Sequence, residues 1–356
     1  VAGDAPTSPI TTLTSSVSDA DERWSLSLES LPGWHEDDHR AAFRVFRKSA
    51  ERLLAEDTLS PDSFPDLKAP AAAALRLPVE PSSAEACRFF ETYFVPAPAT
   101  SEGLLTGYYE PVIEARREPS EAFSVPIYGP PEEAVQTEIT DQPPLCPNRA
   151  AIEAGALADR GLELAYVADP VDLFFIHVQG SARLSFGDGR HMRIGFAGKS
   201  GHAYTSIGRL AVERGYLEKA EAGKAGLEHW LKAHREAGRR LMAENRSFIF
   251  FKEVVDLASE AGPLGAAGVP LSAGRSLAVD PAFSPLHLPV FVTAPPLPGF
   301  GPGAFRRLMV AQDVGSAIKG AGRADIFAGS GEDAGAAAGE IRHRGVLLPL
   351  LPKACA

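Results

Sequence analysis

The sequence predicts a mainly β protein with peripheral helices, an α+β chain whose short strands close into a barrel. Three observations carry this. First, 30 prolines and 33 glycines in 356 residues supply more turns than a helical bundle uses. Second, the hydrophobic period changes from helical to alternating near Gly103. Third, from Ser247 onward short apolar runs follow one another, each cut by Gly or Pro, as in a small barrel. Length adds a soft preference for two domains, and no internal repeat of fixed period is present.

The elements follow in order. Residues 1–20, opening VAGDAPTSPITTLTSS, have the Ser, Thr, Ala and Pro content of a flexible tether. They lack a Met and the basic stretch of a secretory leader, so the sequence reads as a processed or trimmed chain. From Asp37 to about Glu56, Phe43, Phe46, Ala50, Leu53 and Leu54 recur at helical spacing behind an acidic first turn. A second helix runs from Ser82 to about Phe94. Ser82 and Glu85 form a capping box, and Pro96 ends it. VDLFFIHVQGSARLSF and HMRIGFAG, joined by Gly187-Asp188-Gly189, read as a hairpin. Helices are expected over about Thr205 to Arg214 and Gly226 to Ala243. SFIFFKEV then opens a second β-rich region continuing through SLAVDP, LPVFVTAP, FRRLMVAQDVG, RADIFAG and GVLLPLLP.

Charge and cysteines exclude several classes. The net charge is −11 and basic residues are scattered, which argues against a nucleic-acid partner. No apolar run approaches the roughly 18 residues that span a bilayer. Cys87, Cys146 and Cys355 are widely spaced, without a C-x-x-C pair, so they give neither a zinc site nor a disulfide framework, and leave room for one disulfide at most.

Three motifs match in letters and not in context. His35-Glu36-Asp37-Asp38-His39 fits H-E-x-x-H, yet it follows Pro32-Gly33 at a helix start, where acidic residues suit the helix dipole. Gly198-Lys199-Ser200 mimics the end of a P-loop, but Arg193 stands where the first glycine is required. The Asp188 turn lacks the spaced oxygens of a calcium loop.

The informative signal is a set of aspartates. Asp280 ends SLAVD, Asp313 ends LMVAQD and Asp325 begins DIFAG, each where a strand leaves or enters a core. Singly, such a residue makes an Asx-turn or binds backbone amides. Together, with Gly315, Gly320 and Gly322 letting the loop fold tightly, they point to a site.

LLTGYYEP, DLFFIHVQGSARLSF, SFIFFKEV, GPLGAAGVPLSAGRSLAVDP and AQDVGSAIKGAGRADIFAG, in that order, resemble the membrane-bound lytic murein transglycosylase A family and its C-terminal three-aspartate domain. LPGW near Trp34, AGE and LLPK extend the likeness over nearly all of the chain after residue 20. Ser316 replaces a glycine of the family pattern, and the loop before Asp325 is a residue longer.

The resemblance implies a double-psi β-barrel from residues 21–110 plus 245–356. A smaller β-domain, 111–244, would be inserted after TGYYEP, with a groove between the two for a glycan. It implies cleavage of the β-1,4 bond between N-acetylmuramic acid and N-acetylglucosamine, with a 1,6-anhydro product. Asp325 matches the catalytic acid, and Asp313 and Asp280 match the other two aspartates. Thr106, Gly107, Tyr108, Tyr109, Gln179 and Ser181 match groove-lining positions. No cofactor or metal is expected. The implied partners are peptidoglycan glycan strands, alongside proteins of wall synthesis or division, for a monomer in the periplasm. No lipobox cysteine is present, so outer-membrane attachment would need a segment outside this chain.

The chemistry sets its own demands. A carboxyl that protonates the leaving oxygen must keep its proton at working pH. Burial beside Ile326 and Phe327, and an anionic Asp313 nearby, would each raise the pKa of Asp325. The anion formed then takes a proton from the sugar's own 6-hydroxyl, which closes on C1. This differs from schemes that use two carboxylates. Lys319 contacts substrate oxygens or stays solvated. Tyr108 and Tyr109 stack on sugars or pack a strand. Gln179 binds N-acetyl groups or stabilises a turn, and Arg183 faces water. Glu110 counts among the substrate contacts and is the first alternative acid. Three other readings stay open: a hydrolase in which Glu110 or Asp313 activates water, a wall-polysaccharide binding module, and, more distantly, a zinc peptidase.

Overall fold

The computed structural model describes residues 27–55, 63–97, 102–135, 145–221, 223–255, 257–258 and 260–353. The expected tether over 1–20 and Cys355 lie outside them. The chain forms two compact units. One takes the chain up to Gly107, Leu264–Ala328 and the residues from Ile341; the other takes Tyr108–Pro263 and Gly329–Glu340.

In the first unit, α1 (His39–Ala55) buries Phe43, Phe46, Ala50 and Leu53 of the expected stripe, together with Ala42, whereas Leu54 is exposed. Helix α2 (Lys68–Arg76) packs alanines inward, and α3 (Ser83–Tyr93) follows. The expected capping box opens α3: Ser82 Oγ accepts from the Glu85 amide, and Glu85 Oε2 accepts from the Ser82 amide. Strand β1 (Phe94–Pro96) continues directly from it. Strand β2 (Gly103–Glu110) then carries the chain out of this unit after Gly107.

The second unit holds β3 (Val112–Ala115), β4 (Val125–Tyr128), β5 (Glu163–Val167), α4 (Pro170–Gln179), β6 (Ser181–Phe186) and β7 (His191–Lys199). It continues with α5 (Ile207–Glu213), α6 (Lys224–Ala233), α7 (Arg235–Ala243) and β8 (Ile249–Glu253). A four-stranded sheet runs β3-β6-β7-β8, beside the pair β4-β5. Leu184, Ile194 and Phe251 lie in one core cluster, and α4 to α7 build a second around Phe174 and Leu231. This unit is mixed α/β, which corrects the expected β-domain.

Three further corrections have local causes. VDLFFIHVQ is helix α4 where a strand was expected. Asp169 caps it by accepting from the Val171 amide, Pro170 occupies its first turn, and Gly180 ends it at φ +77°. Those end signals outweigh the β-forming residues between them. The expected helix over 226–243 breaks at His234, where φ −118° and ψ 60° leave the helical region. SFIFFKEV belongs to the second unit, because β8 pairs antiparallel with β7, Phe251 opposite Phe196. The chain re-enters the first unit at Leu264, not at 245, and leaves it again for 329–340.

That last excursion is α8 (Glu332–Glu340). Around it the first unit is completed by β9 (Ser276–Val279), β10 (Pro289–Ala294), β11 (Phe305–Val314), β12 (Ala324–Ser330) and β13 (Arg342–Pro352). The ring β13-β10-β11-β9-β12-β2 closes through β2–β13 pairing into a six-stranded barrel, and β1 adds to β13. Only β9 with β11 is parallel among the pairs whose register is defined here. Alternation explains the unbroken apolar strands. Val290, Val292, Met309, Ala311 and Leu347 fill the barrel, while Phe291, Leu308, Val310, Leu348 and Leu350 pack under the helices. Both faces are buried, so both must be apolar. Among the described residues no helix is long and apolar enough to cross a membrane.

Candidate active site

Barrel pairing fixes where the aspartates stand. Asp325 is the second residue of β12 and pairs with Ala278 of β9. Ala278 in turn pairs with Asp313 of β11. The two aspartates therefore flank one residue, roughly 10 Å apart across two strand spacings. Asp313 Oδ1 accepts from the amides of Ala266 at 3.0 Å and Val314 at 3.0 Å. Asp280, buried just after β9, holds the loop between β11 and β12: its Oδ2 accepts from the Gly320 amide at 2.8 Å. Gly320 takes φ +106°, a conformation that favours glycine. Lys319, 68% exposed, lies 4.0 Å from Asp280 Oδ1. It is a solvated lysine weakly paired to an aspartate.

Asp325 has different surroundings. Thr106, from β2, donates its hydroxyl to Asp325 Oδ1 at 2.5 Å, and Arg323 Nη2 donates to the same Thr106 Oγ1 at 2.7 Å. The approach of β2 depends on Gly103, where a Cβ would run into the Gly322 carbonyl. The Asp325 carboxyl is half-buried by surface. Burial pushes its pKa above the ordinary aspartate value, opposed by the Thr106 hydrogen bond and the Arg323 charge. Asp313 is not among these causes, so the expected contribution of its charge is replaced by burial alone. A carboxyl of this kind holds its proton to higher pH and sits at a strand start, as a general acid requires.

The TGYYEP residues divide at the unit boundary. Thr106 and Gly107 belong with Asp325 in the first unit. In the second, Tyr108 and Tyr109 are both buried. The Tyr109 ring packs against Gly335 and under Lys224 Nζ at 5.5 Å, so it is core packing more than an open sugar platform. Gln179, at the end of α4, accepts from the Tyr109 amide through Oε1 at 3.0 Å and thus ties α4 to β2. Ser181 is buried at the start of β6.

Glu110 is the clearest departure. It is 0% exposed, and Arg193 Nε reaches its Oε1 at 2.8 Å. Arg183 Nη2 at 3.1 Å and Ser330 Oγ at 2.7 Å donate to Oε2. Enclosed by three donors and away from solvent, this carboxylate has no face open to a substrate. The alternation along β6 suggested that Arg183 faces water; its partner comes from another strand, which no local pattern reveals.

The H-E-x-x-H stretch is structural. Asp37 makes a buried two-point ion pair with Arg275, at 2.7 and 2.8 Å, and accepts from the Leu308 amide. His39 begins α1 buried against Trp34, whereas His35 is exposed before the helix, so the two imidazoles share no helical face. Among the described residues one mixed donor group, His35, Cys87 and Glu91, lies within 4.8 Å. There Glu91 Oε1 already accepts from Trp34 Nε1 at 3.0 Å and from Cys87 Sγ at 3.1 Å. The signal missed in the sequence was Arg323: it was read only as a letter of RADIFAG.

Comparison with known proteins places this geometry. Residues 104–252 match the MltA specific insert domain, and residues 275–351 match the 3D domain. The chain is 38% identical over 248 residues to the membrane-bound lytic murein transglycosylase A of Vibrio cholerae, covering 68% of this chain and 63% of that protein. The relative from Escherichia coli K12 is 40% identical over 245 residues, covering 67% and 63%. The chain thus spans under two thirds of the length of these curated relatives. Among solved structures, the membrane-bound lytic murein transglycosylase of Agrobacterium tumefaciens is 38% identical with a TM-score of 0.83, covering 92% of this chain and 97% of that one. Escherichia coli MltA with bound chitohexaose is 32% identical with a TM-score of 0.68, covering 89% and 90%. The chain therefore belongs to the membrane-bound lytic murein transglycosylase A family and carries its insert domain and a C-terminal 3D domain.

Proposed function

We propose that the protein is a lytic transglycosylase of peptidoglycan, with Asp325 as its single acid and then base. The observation that carries this is a half-buried carboxyl of raised pKa on the barrel of a member of this family. Asp325 protonates the glycosidic oxygen between N-acetylmuramic acid and N-acetylglucosamine as positive charge develops at C1. The resulting carboxylate removes the proton of the muramoyl 6-hydroxyl, whose oxygen bonds to C1 and closes the 1,6-anhydro ring. No water enters, because the nucleophile is held within the substrate at high effective molarity.

In this reading Thr106 orients the acid, Asp280 holds the loop leading to it, and Asp313 lies across β9 from it. Gly107 of the first unit, and Tyr108 and Ser181 of the second, are each read as contacts to the glycan. The non-sequential ring, with β9 and β11 parallel, supports a double-psi type for the barrel. The activity of its relatives supports a periplasmic setting, with glycan strands as the partner. Mass spectrometry of muropeptides released from purified sacculi is the test. Anhydromuramoyl ends are expected; reducing ends would make the enzyme a hydrolase, and binding without release would make it a wall-binding module.

A further inference from the structure

We propose that Arg323 is a positioning residue: it turns the Thr106 hydroxyl so that its proton points at Asp325 Oδ1, leaving Oδ2 to carry the proton that is given and taken back. This rests on Asp325 being the acid. The assignment follows from counting protons. A guanidinium only donates, so the 2.7 Å contact makes Thr106 Oγ1 the acceptor from Arg323 Nη2. The hydroxyl has one proton, and its other partner is Asp325 Oδ1 at 2.5 Å, so that proton points at Oδ1. An oxygen already facing a donor is a poor place for a second proton. The neutral carboxyl therefore carries its hydrogen on Oδ2, which has no hydrogen-bond partner among the described residues.

Arg323 itself is held. Its Nη1 donates to the Ala324 carbonyl at 2.5 Å and to the Leu104 carbonyl at 3.3 Å, so the planar fork bridges β12 and β2. Thr106 sits between, paired on its other side with Arg342 of β13. Arg323 and Arg342 are the charges in this neighbourhood: the first faces Asp325, and the second faces Arg323. A lysine at 323 would keep the charge and lose the fork. Thr106 without Arg323 would be free to turn its proton away, and either carboxyl oxygen could then be protonated.

The test separates charge from orientation and does not depend on glycan cleavage. Asp325 is titrated by carbon NMR in protein labelled at the aspartate carboxyls, with the signal assigned by its loss in Asp325→Asn. Arg323→Ala should move the Asp325 titration to higher pH, and Thr106→Val should do the same. Arg323→Lys should move it less, and Thr106→Ser should restore the wild-type curve. On sacculi, Arg323→Ala and Arg323→Lys should each lose about ten- to a hundredfold in turnover, the loss of one charge-assisted hydrogen bond. The double variant with Thr106→Val should lose little beyond Thr106→Val alone, because Arg323 acts through Thr106. An unchanged Asp325 titration in Arg323→Lys and Arg323→Ala of intact fold, or fully additive losses, would overturn the proposal. Titrations that move as expected while no variant, wild type included, releases anhydro products would leave the positioning standing and remove the transglycosylase reading.

Discussion

Asp325 in the barrel unit is the acid that the sequence points to and Glu110 in the second unit its first alternative, and the structure treats the two carboxylates in opposite ways. Glu110 in the second unit is fully enclosed and answered by two arginines and a serine. Asp325 in the first unit is half open, with one hydroxyl on one oxygen and an arginine a bond away. Burial acts on both, but only at Glu110 is the charge matched donor for donor. A buried charge with full pairing organises its neighbours. A buried carboxyl with partial pairing favours its proton and remains able to exchange it. The number and kind of donors, not burial, separates the two environments.

The sharpest way to break this comparison is at Asp325. Replacement by Asn should lower turnover by roughly 10²–10⁴-fold, measured as release of muropeptides, with glycan binding retained. An active variant would move the acid elsewhere. Glu110→Gln should show the reverse pattern: a loss of stability of roughly 3–5 kcal/mol by thermal or denaturant unfolding, because the buried Arg193 and the partly buried Arg183 lose their charged partner. Any fall in activity should follow the folded fraction. Equal stability in Glu110→Gln would show that the pairing is not structural.

The pH dependence sharpens the same contrast. The raised pKa of Asp325 means that the folded chain keeps a proton which the unfolded chain has already released. Its contribution to stability is present at acid pH and falls as pH rises from the ordinary aspartate value through the raised one. Activity should decline over the same upper limb. Asp325→Asn should therefore be at least as stable as the wild type at neutral pH, by calorimetry; a less stable variant would contradict the assignment. Smaller effects are expected along the loop. Asp280→Ala should cost about 1–3 kcal/mol by removing the acceptor of the Gly320 amide. Lys319→Ala, at an exposed and weakly paired position, should leave the melting temperature unchanged.

Some of this was written in the chain itself. The Phe43, Phe46, Ala50, Leu53 stripe and the Ser82–Glu85 box define α1 and α3 because their periodicity and capping are local. The order of the motifs carried the family, and the apolar runs after Ser276 carried the barrel strands. Asp325 was legible as a candidate because it stands at the edge of an apolar run. What the sequence left open has one physical cause: it depends on partners distant along the chain. The fate of Glu110 was decided by Arg183, Arg193 and Ser330, which lie 73, 83 and 220 residues away. The assignment of SFIFFKEV was decided by pairing with β7, since an apolar strand fits any sheet. The role of Arg323 was decided by β2 closing against β12, which brings Thr106 across 217 residues into hydrogen-bond reach. Period and capping are properties of neighbours, whereas pairing of charges and strands is a property of the closed barrel.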